Sequence, residues 1–116
     1  MKKEVASSFN CGCKVWLEKD GLALGDGLFI LLDGVARLGS ISRAAEEAGM
    51  SYRAAWGKIN SAQRCWKISL VRTQVGGETG GGTVLTREGL DMMERYEKFR
   101  RRTEESVKKI FTDLFS

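Results

Sequence analysis

The chain has 116 residues, of which 19 are lysine or arginine and 15 are acidic, so its formal net charge is +4. This length predicts one domain with a modest core. The chain has no histidine, which excludes a histidine general base and a histidine-based zinc site, and no pairing of a nucleophile with a base is evident. We therefore predict a protein that is not an enzyme and needs no cofactor.

The apolar runs and the cysteine count indicate in which cellular compartment the protein is expected. No apolar run reaches the length of a membrane span, and no signal-peptide pattern follows Lys2 and Lys3. Three cysteines, an odd number, argue against a disulfide framework. We expect a cytoplasmic protein without a membrane partner.

The N-terminal segment, residues 1–12, is polar and lacks periodicity, so we expect it to be flexible and residues 13–116 to fold. Cys11 and Cys13 could bind a soft metal or form a redox pair. A closed zinc site takes four ligands and the chain has no second pair, so ordinary thiols are the favoured interpretation. The alternatives are a site shared between two subunits and a thiol- or metal-responsive regulator.

A hairpin and a helix are predicted next. Residues 13–18 alternate like a half-buried strand, residues 19–21 form a turn, and residues 22–24 form a short returning strand. Asp26 is the expected N-cap of a helix over residues 28–38. Its core stripe is Leu28, Leu31, Leu32 and Val35, and Phe29 and Ile30 extend the apolar arc. Because a small domain has little deep core, we expect part of this helix to pack against a second subunit.

Residues 39–74 predict two short helices joined by a tight turn, followed by a strand. Ser40 or Ser42 can cap the first helix, Gly49 suits a left-handed residue after its end, and Ser51 can cap the second helix. The turn is then about three residues long, which is the spacing of a DNA-binding helix-turn-helix.

The second of these helices is predicted over residues 52–66. Its apolar face is Tyr52, Ala55, Trp56, Ile59, Ala62 and Trp66, so we expect Trp56 and Trp66 in the core. The opposite face is Arg53, Gly57, Asn60, Ser61 and Arg64. It has no acidic residue, and its small side chains would let the helix backbone approach the major groove of DNA closely. Periodicity alone is equally compatible with a merely solvated face.

The distribution of charge favours nucleic acid. Residues 37–74 hold seven basic and two acidic side chains, a net charge of +5, so the rest of the chain sums to −1. Phosphate binding requires such a concentration of positive charge.

A β-hairpin wing is predicted after the second helix. Residues 70–75 and 83–85 have strand character, and five glycines lie among the seven residues 76–82 that join them. Glycine lets backbone N–H groups approach phosphate closely. A P-loop is disfavoured because no Gly-Lys-Ser/Thr follows; a hairpin tip without function is the remaining alternative.

The last predicted element is a long helix over residues 86–116, capped by Thr86. Its arginine cluster, residues 100–102, lies beside Glu104 and Glu105 and is interpreted as a solvated face. The apolar far end, residues 107–115, is more than a small domain can cover and needs a partner. Pairing with the same helix of a second subunit is the expected solution.

Two segments carry a resemblance to a known family. GSISRAAEEAGMSYRAAW at residues 39–56 and TQVGGETGGGTVLTREG at residues 73–89 resemble the DNA-binding domain of the molybdate-responsive regulators of the ModE family, and more distantly the winged helix-turn-helix of LysR-type regulators. The resemblance extends from about Val15 to Tyr96. It implies a dimer on a palindromic operator and a link to molybdate or tungstate metabolism. In that family separate C-terminal domains bind molybdate; this sequence ends at Ser116, so we expect DNA binding to carry over and molybdate sensing within this chain not to.

The sequence thus predicts a mainly α fold with a small β component, a winged helix-turn-helix with an N-terminal hairpin and a long C-terminal dimerisation helix. The predicted function is a homodimeric, sequence-specific regulator that binds double-stranded DNA. The alternative is a protein-interaction module that pairs with a separate effector-sensing chain. Expected DNA contacts are Ser40, Ser42, Arg43, Ser51, Tyr52, Arg53, Gly57, Lys58, Ser61, Arg64, Gly77, Thr79, Gly81 and Thr83. Expected dimer contacts are Phe29, Ile30, Tyr96, Val107, Ile110, Phe111 and Leu114.

Overall fold

The computed structural model describes residues 8–74 and 82–115. Their elements, in chain order, are β1 (Leu17–Lys19), β2 (Leu22–Leu24), α1 (Asp26–Leu38), α2 (Ile41–Glu47), α3 (Tyr52–Trp66), β3 (Val71–Gln74), β4 (Gly82–Leu85) and α4 (Arg87–Phe115). The strands form two antiparallel pairs, β1 with β2 and β3 with β4. The predicted fold class, mainly α with a small β component, is confirmed. The chain divides into two compact units, residues 16–95 and residues 1–15 with 96–116.

In the first unit, β1 and β2 form a tight hairpin in which Leu17 pairs with Leu24 and Lys19 pairs with Leu22. Asp20 and Gly21 both have positive φ, 50° and 82°, as a two-residue type I′ turn requires. The predicted strand over residues 13–18 is wrong in its bounds, because β2 offers only three partner residues and the ladder ends at Leu17.

Helix α1 begins two residues earlier than predicted. Gly25 is its N-cap and Asp26 its first residue, so the prediction of Asp26 as N-cap is wrong. The Asp26 carboxylate still lies in the first turn, where the helix dipole favours it. The helix ends at Gly39, which is left-handed with φ 70°.

The core of this unit is entirely apolar among the described residues. It contains the predicted α1 stripe, Leu28, Leu31, Leu32 and Val35, together with Leu24, Phe29, Ile41, Ala44, Ala45, Ala55, Ile59, Ala62, Leu70 and Val71. Helices α1 and α2 pack closely at Gly34. A Cβ at this position would lie only 2.8 Å from the Ala44 Cβ, so the close approach requires glycine.

The two apolar residues that widen the α1 stripe have different environments. Phe29 is only 5% exposed, and its ring lies 6.5 Å from that of Trp66. The prediction of Phe29 as a dimer contact is therefore wrong, since its side chain is buried in the core of the same chain. Ile30 is 55% exposed and is free of the core.

The wing strands pair in the register Val71 with Leu85 and Gln74 with Gly82. Strand β3 starts one residue later than predicted because the buried Leu70 precedes it, and β4 starts one residue earlier, at Gly82. Val75 and the predicted tip contacts Gly77, Thr79 and Gly81 lie outside the described residues.

Helix α4 begins where predicted. The Thr86 Oγ1 accepts a hydrogen bond from the Gly89 N–H at 2.9 Å, which is an N-cap interaction. The same hydroxyl donates to the Ser69 carbonyl.

The second unit contains most of α4. Tyr96 is 3% exposed, and its hydroxyl donates to the Val15 carbonyl at 3.2 Å, so the prediction of Tyr96 as a dimer contact is wrong. Within this unit Phe115 contacts Phe9 edge-on at 6.0 Å and stacks on Phe111 at 5.2 Å.

The remaining predicted dimer contacts on α4 keep exposed surface. Ile110 is 58% and Leu114 73% exposed, and Val107 is half-buried. Arg100 forms ion pairs with Glu97 at 2.8 Å and Glu104 at 3.0 Å, which fits a solvated face. Residues 8–16 form no helix or strand, and residues 1–7 of the predicted flexible segment lie outside the described residues.

Candidate nucleic-acid interface

Helices α2 and α3 form the predicted helix-turn-helix. Ser40 caps α2 by accepting a hydrogen bond from the Arg43 N–H at 3.2 Å, and Ser51 caps α3 by accepting from the Ala54 N–H at 3.1 Å. Between the helices Gly49 has φ 70°, and the Met50 N–H closes the end of α2 on the Ala45 carbonyl at 2.9 Å. The turn chemistry is as predicted, with Ser40 rather than Ser42 as the cap.

Helix α3, the recognition helix, buries a narrow stripe. Ala55, Ile59 and Ala62 are fully buried, whereas Arg53, Gly57, Ser61 and Arg64 are exposed and Asn60 is half-buried. The helix has no acidic residue along its whole length. A Cβ at Gly57 would meet nothing within 4 Å, so the backbone is open to close approach at this point.

The expected burial of Trp56 is wrong. Trp56 is 39% exposed and Tyr52 is 57% exposed, while Trp66 is half-buried. At about 100° per residue, position 56 lies roughly 90° from the centre of the Ala55–Ile59–Ala62 stripe. The periodic pattern placed Trp56 at the edge of the apolar arc, and the core of this unit does not reach that far.

Lys58 and Ser61 line a surface depression of about 270 Å³. Its other walls come from the β1–β2 hairpin and the start of α1. The Lys58 side chain lies over Gly27, since a Cβ at Gly27 would be 3.5 Å from its Cε. Lys58 therefore presents its ammonium group beside the first turn of α1.

One arginine of the basic segment is neutralised within the fold. Arg37 binds Asp33 at 2.9 Å and Glu47 at 2.6 Å. The hydrogen bond from Arg37 lowers the pKa of the Glu47 carboxyl, and the same bond raises the pKa of the Arg37 guanidinium. Arg37 is thus a structural ion-pair residue and adds no free positive charge.

The basic surface comes from other side chains. Arg43, Arg53, Arg64 and Arg72 are exposed, and none of them forms an ion pair within the described residues. Arg43 lies on α2, Arg53 and Arg64 on α3, and Arg72 on β3. Unpaired arginines on successive elements suit a run of phosphates.

The base of the wing lies against the start of the helix-turn-helix. The Thr83 N–H donates to the Gly39 carbonyl at 2.9 Å, and a Cβ on Gly82 would lie 2.9 Å from that same oxygen. Gly82 is therefore needed for close approach. Thr83, a predicted DNA contact, is half-buried, and its backbone N–H is already bonded to the Gly39 carbonyl.

Gln63 joins the recognition helix to the wing, and sequence reasoning missed it. Its Oε1 accepts hydrogen bonds from the Leu70 N–H at 2.8 Å and the Val71 N–H at 3.2 Å. No sequence pattern marks such a residue, because its partners are backbone groups brought to it by the turn after α3.

The three cysteines are free thiols. Cys11 and Cys13 are exposed, and the Cys65 Sγ donates to the Lys19 carbonyl at 3.1 Å. Within residues 8–74 and 82–115 no three cysteine or acidic side chains lie together as a metal-ligand set. In the same part of the chain, no helix combines the length and apolarity that crossing a bilayer requires.

Comparison with known proteins identifies the domain. Residues 28–90 match the family model of the bacterial regulatory helix-turn-helix proteins of the lysR family. The chain belongs to this family. The match begins in α1 and ends in the first turn of α4, so it contains the helix-turn-helix and both wing strands. With the described fold, this membership makes the chain a winged helix-turn-helix domain of the lysR family.

Several characterised proteins are similar to this LysR-family chain. The molybdenum transport protein ModE of Herbaspirillum seropedicae is 40% identical over 79 residues, 68% of this chain and 29% of that protein. The molybdenum-pterin-binding protein MopB of Rhodobacter capsulatus is 38% identical over 86 residues, 74% of this chain and 32% of that protein. The DNA-binding transcriptional dual regulator ModE of Escherichia coli K12 is 43% identical over 67 residues, 58% and 26% respectively. The chain spans about a third or less of the length of these relatives.

Proposed function

We propose that this chain is a homodimeric, sequence-specific transcriptional regulator that inserts α3 into the major groove of its operator. One observation carries the proposal: α3 presents an exposed face with an open glycine, no acid and two arginines that have no ion-pair partner in the described part of the chain. A major groove admits a helix of this kind, and arginine on its surface can bind base edges and phosphates. Such a protein acts where the chromosome lies, in the cytoplasm.

The proposed contacts divide by position in the motif. Arg53, in the first turn of α3, is the proposed base contact, because a planar guanidinium can bind guanine in a bidentate manner. Ser51 and Tyr52 flank it. Farther along the helix, the proposed contacts are Gly57, Lys58, Ser61 and Arg64. At the start of α2, the N-cap Ser40 and the helical residues Ser42 and Arg43 would bind phosphate. The proposed contacts of the wing with the neighbouring DNA backbone are Gly77, Thr79, Gly81 and Thr83.

The proposed dimer uses exposed apolar surface. Ile30 on α1, and Ile110 and Leu114 on α4, each leave more than half of the side chain accessible, and Val107 and Phe111 lie within the same stretch of α4. A two-fold dimer would present two recognition helices to half-sites one helical turn of DNA, or a multiple of it, apart. A monomer in sedimentation velocity at micromolar concentration would overturn this part of the proposal.

We propose that the genes regulated by this protein are linked to molybdenum. The relatives from Herbaspirillum seropedicae and Rhodobacter capsulatus carry molybdenum in their names, and the similarity to them covers 68% and 74% of this chain. We propose that the operator of this regulator lies beside genes of molybdate or tungstate metabolism. Genome-wide mapping of bound sites that found no such genes would contradict this proposal.

The deciding experiment is fluorescence anisotropy on a labelled duplex that wild-type protein selects from a random-sequence library, with a scrambled duplex as competitor at near-physiological salt. We predict that Arg53→Ala weakens operator binding by about 1–3 kcal/mol and relaxes the preference at one base position. Arg95→Ala is the matched control, since it removes the same charge from an exposed ion pair on α4. Equal weakening on all sequences would make Arg53 a phosphate contact, and indifference of the wild type to sequence would refute sequence-specific regulation.

A further inference from the structure

Two aromatic side chains of the recognition helix lie outside the core and are exposed. Tyr52 and Trp56 lie four residues apart on α3, which places them on the same side of the helix, and they are 57% and 39% exposed. The side chain of Trp56 forms no ring contact and no hydrogen bond within the described residues. In contrast, Trp16 donates its indole N–H to Glu18 at 2.9 Å and Trp66 packs on Phe29.

These rings border the proposed DNA-binding face. Trp56 follows Arg53 by three residues and precedes Asn60 by four, so it is a surface neighbour of both. The helix supplies guanidinium groups, an amide and an exposed indole along one side, with no carboxylate among them. Such a mixture matches the major groove, which offers hydrogen-bonding base edges together with one apolar group, the C5-methyl of thymine.

A second protein subunit is a poorer occupant of this surface. A two-fold contact through α3 would bring the same patch of both copies together. Arg53 and Arg64 would then oppose their own equivalents, and like charges in an interface oppose association. Duplex DNA satisfies both the positive charge and the apolar ring.

We propose that Trp56, with Tyr52 beside it, is a specificity-determining residue that contacts the C5-methyl group of thymine in the operator. This inference rests on the proposed function, since it requires α3 in the major groove. It adds an apolar contact, with preference for A·T pairs at defined positions, to the polar contacts of Arg53.

The test changes the DNA and leaves the protein intact. The probe is the duplex selected by the wild-type full chain, with deoxyuridine replacing thymidine one position at a time, which removes only the methyl group. Burial of one methyl contributes enough free energy that its loss weakens wild-type binding about fourfold. We expect this loss at one or a few positions of each half-site, and we expect Trp56→Ala to bind the thymine and uracil duplexes equally.

The matched control is Trp16→Ala, which removes another exposed indole, at the residue just before β1. It should keep the wild-type sensitivity to uracil. Wild-type binding that ignores every uracil substitution overturns the inference, as does a Trp56→Ala protein that keeps the same sensitivity. Loss of the dimer in Trp56→Ala by sedimentation would assign the ring to a protein interface and also overturn it.

A photochemical experiment decides the matter if Trp56→Ala fails to fold. Replacing the sensitive thymidine with 5-iododeoxyuridine puts a photoreactive group where the methyl was. Irradiation of the wild-type complex followed by tryptic mapping should find the crosslink on the peptide at residues 54–58 or on Tyr52; a crosslink confined to other segments refutes the inference. Failure of the wild type to select any sequence would refute the proposed function itself, before either measurement is made.

Discussion

Gln63 is the side chain through which the recognition helix holds the first strand of the wing. Its single amide oxygen accepts from two consecutive backbone N–H groups, those of Leu70 and Val71. Leu70 is fully buried and Val71 is 8% exposed. Gln63→Leu keeps a side chain of similar volume but removes the acceptor from both donors.

The cost of this substitution can be worked from the two donors. Leaving one buried N–H without a partner costs about 1–3 kcal/mol, so two would cost roughly 2–6 kcal/mol. Because Gln63 itself is only half-buried, water can reach part of the site, and we expect the lower half of that range, about 2–4 kcal/mol. This is a large share of the roughly 5–15 kcal/mol by which domains are stable.

The assay is equilibrium urea unfolding, followed by tryptophan fluorescence and far-ultraviolet circular dichroism. Gln63→Glu is the matched control, because a carboxylate oxygen can accept both N–H bonds; its free energy of unfolding should stay within about 1 kcal/mol of wild type. If Gln63→Leu loses less than about 0.5 kcal/mol, within the range of ordinary surface substitutions, the double hydrogen bond is not a stabilising link and the reasoning fails.

Two further predictions concern backbone strain and an ion pair. Lys67 ends α3 in the left-handed region at φ 57°, so Lys67→Gly should raise the free energy of unfolding by about 0.5–1 kcal/mol; an unchanged or lower value in urea unfolding would contradict strain at this position. The lowered pKa of Glu47, caused by its hydrogen bond with Arg37, means that its stabilising effect is present above the ordinary glutamate pKa and is lost as the pH falls through the lowered one. Glu47→Gln should therefore be less stable than wild type at neutral pH, and the difference should vanish in acid. Glu46→Gln is the control, and a difference that persists in acid would show that charge is not its cause.

Local signals in the sequence were sufficient for the order of the elements and for several helix ends, but not for the bounds of the strands or the start of α1. Ser40, Ser51 and Thr86 cap the helices that follow them, and Gly49 adopts the left-handed conformation expected of it. Each of these features depends on a side chain and a backbone group within a few residues of each other. The helix-turn-helix follows from them, and the fold class follows from the motif.

Burial was harder to predict because it depends on contacts between distant segments. Phe29 and Tyr96 are apolar residues at helical spacing, and the sequence cannot say whether an apolar face meets the core or another chain. Trp56 shows the reverse error, since its position at the edge of an apolar arc is compatible with either environment. The two partners of Arg37 show the same distinction: Asp33 is four residues away on the same helix, whereas Glu47 comes from α2.

Helix α3, strand β3 and the start of α4 are joined through backbone groups near Leu70. Gln63 binds the N–H of Leu70 from the recognition helix, and the Leu70 carbonyl accepts from the Thr86 N–H at 3.0 Å at the start of α4. Gly89 completes this junction, because a Cβ there would come within 2.2 Å of the same carbonyl oxygen.

The exposed side chains of α3 take no part in this junction. The side chains of Arg53 and Trp56 form no hydrogen bond or ion pair within the described residues, so replacing them should leave the placement of β3 unchanged. Substitutions at the junction act differently, since they remove bonds that fix α3 against β3 and β3 against α4. Changes on the outer face of α3 should therefore alter which sequence is bound, whereas changes at Gln63 or Gly89 should weaken binding to every sequence and lower stability together.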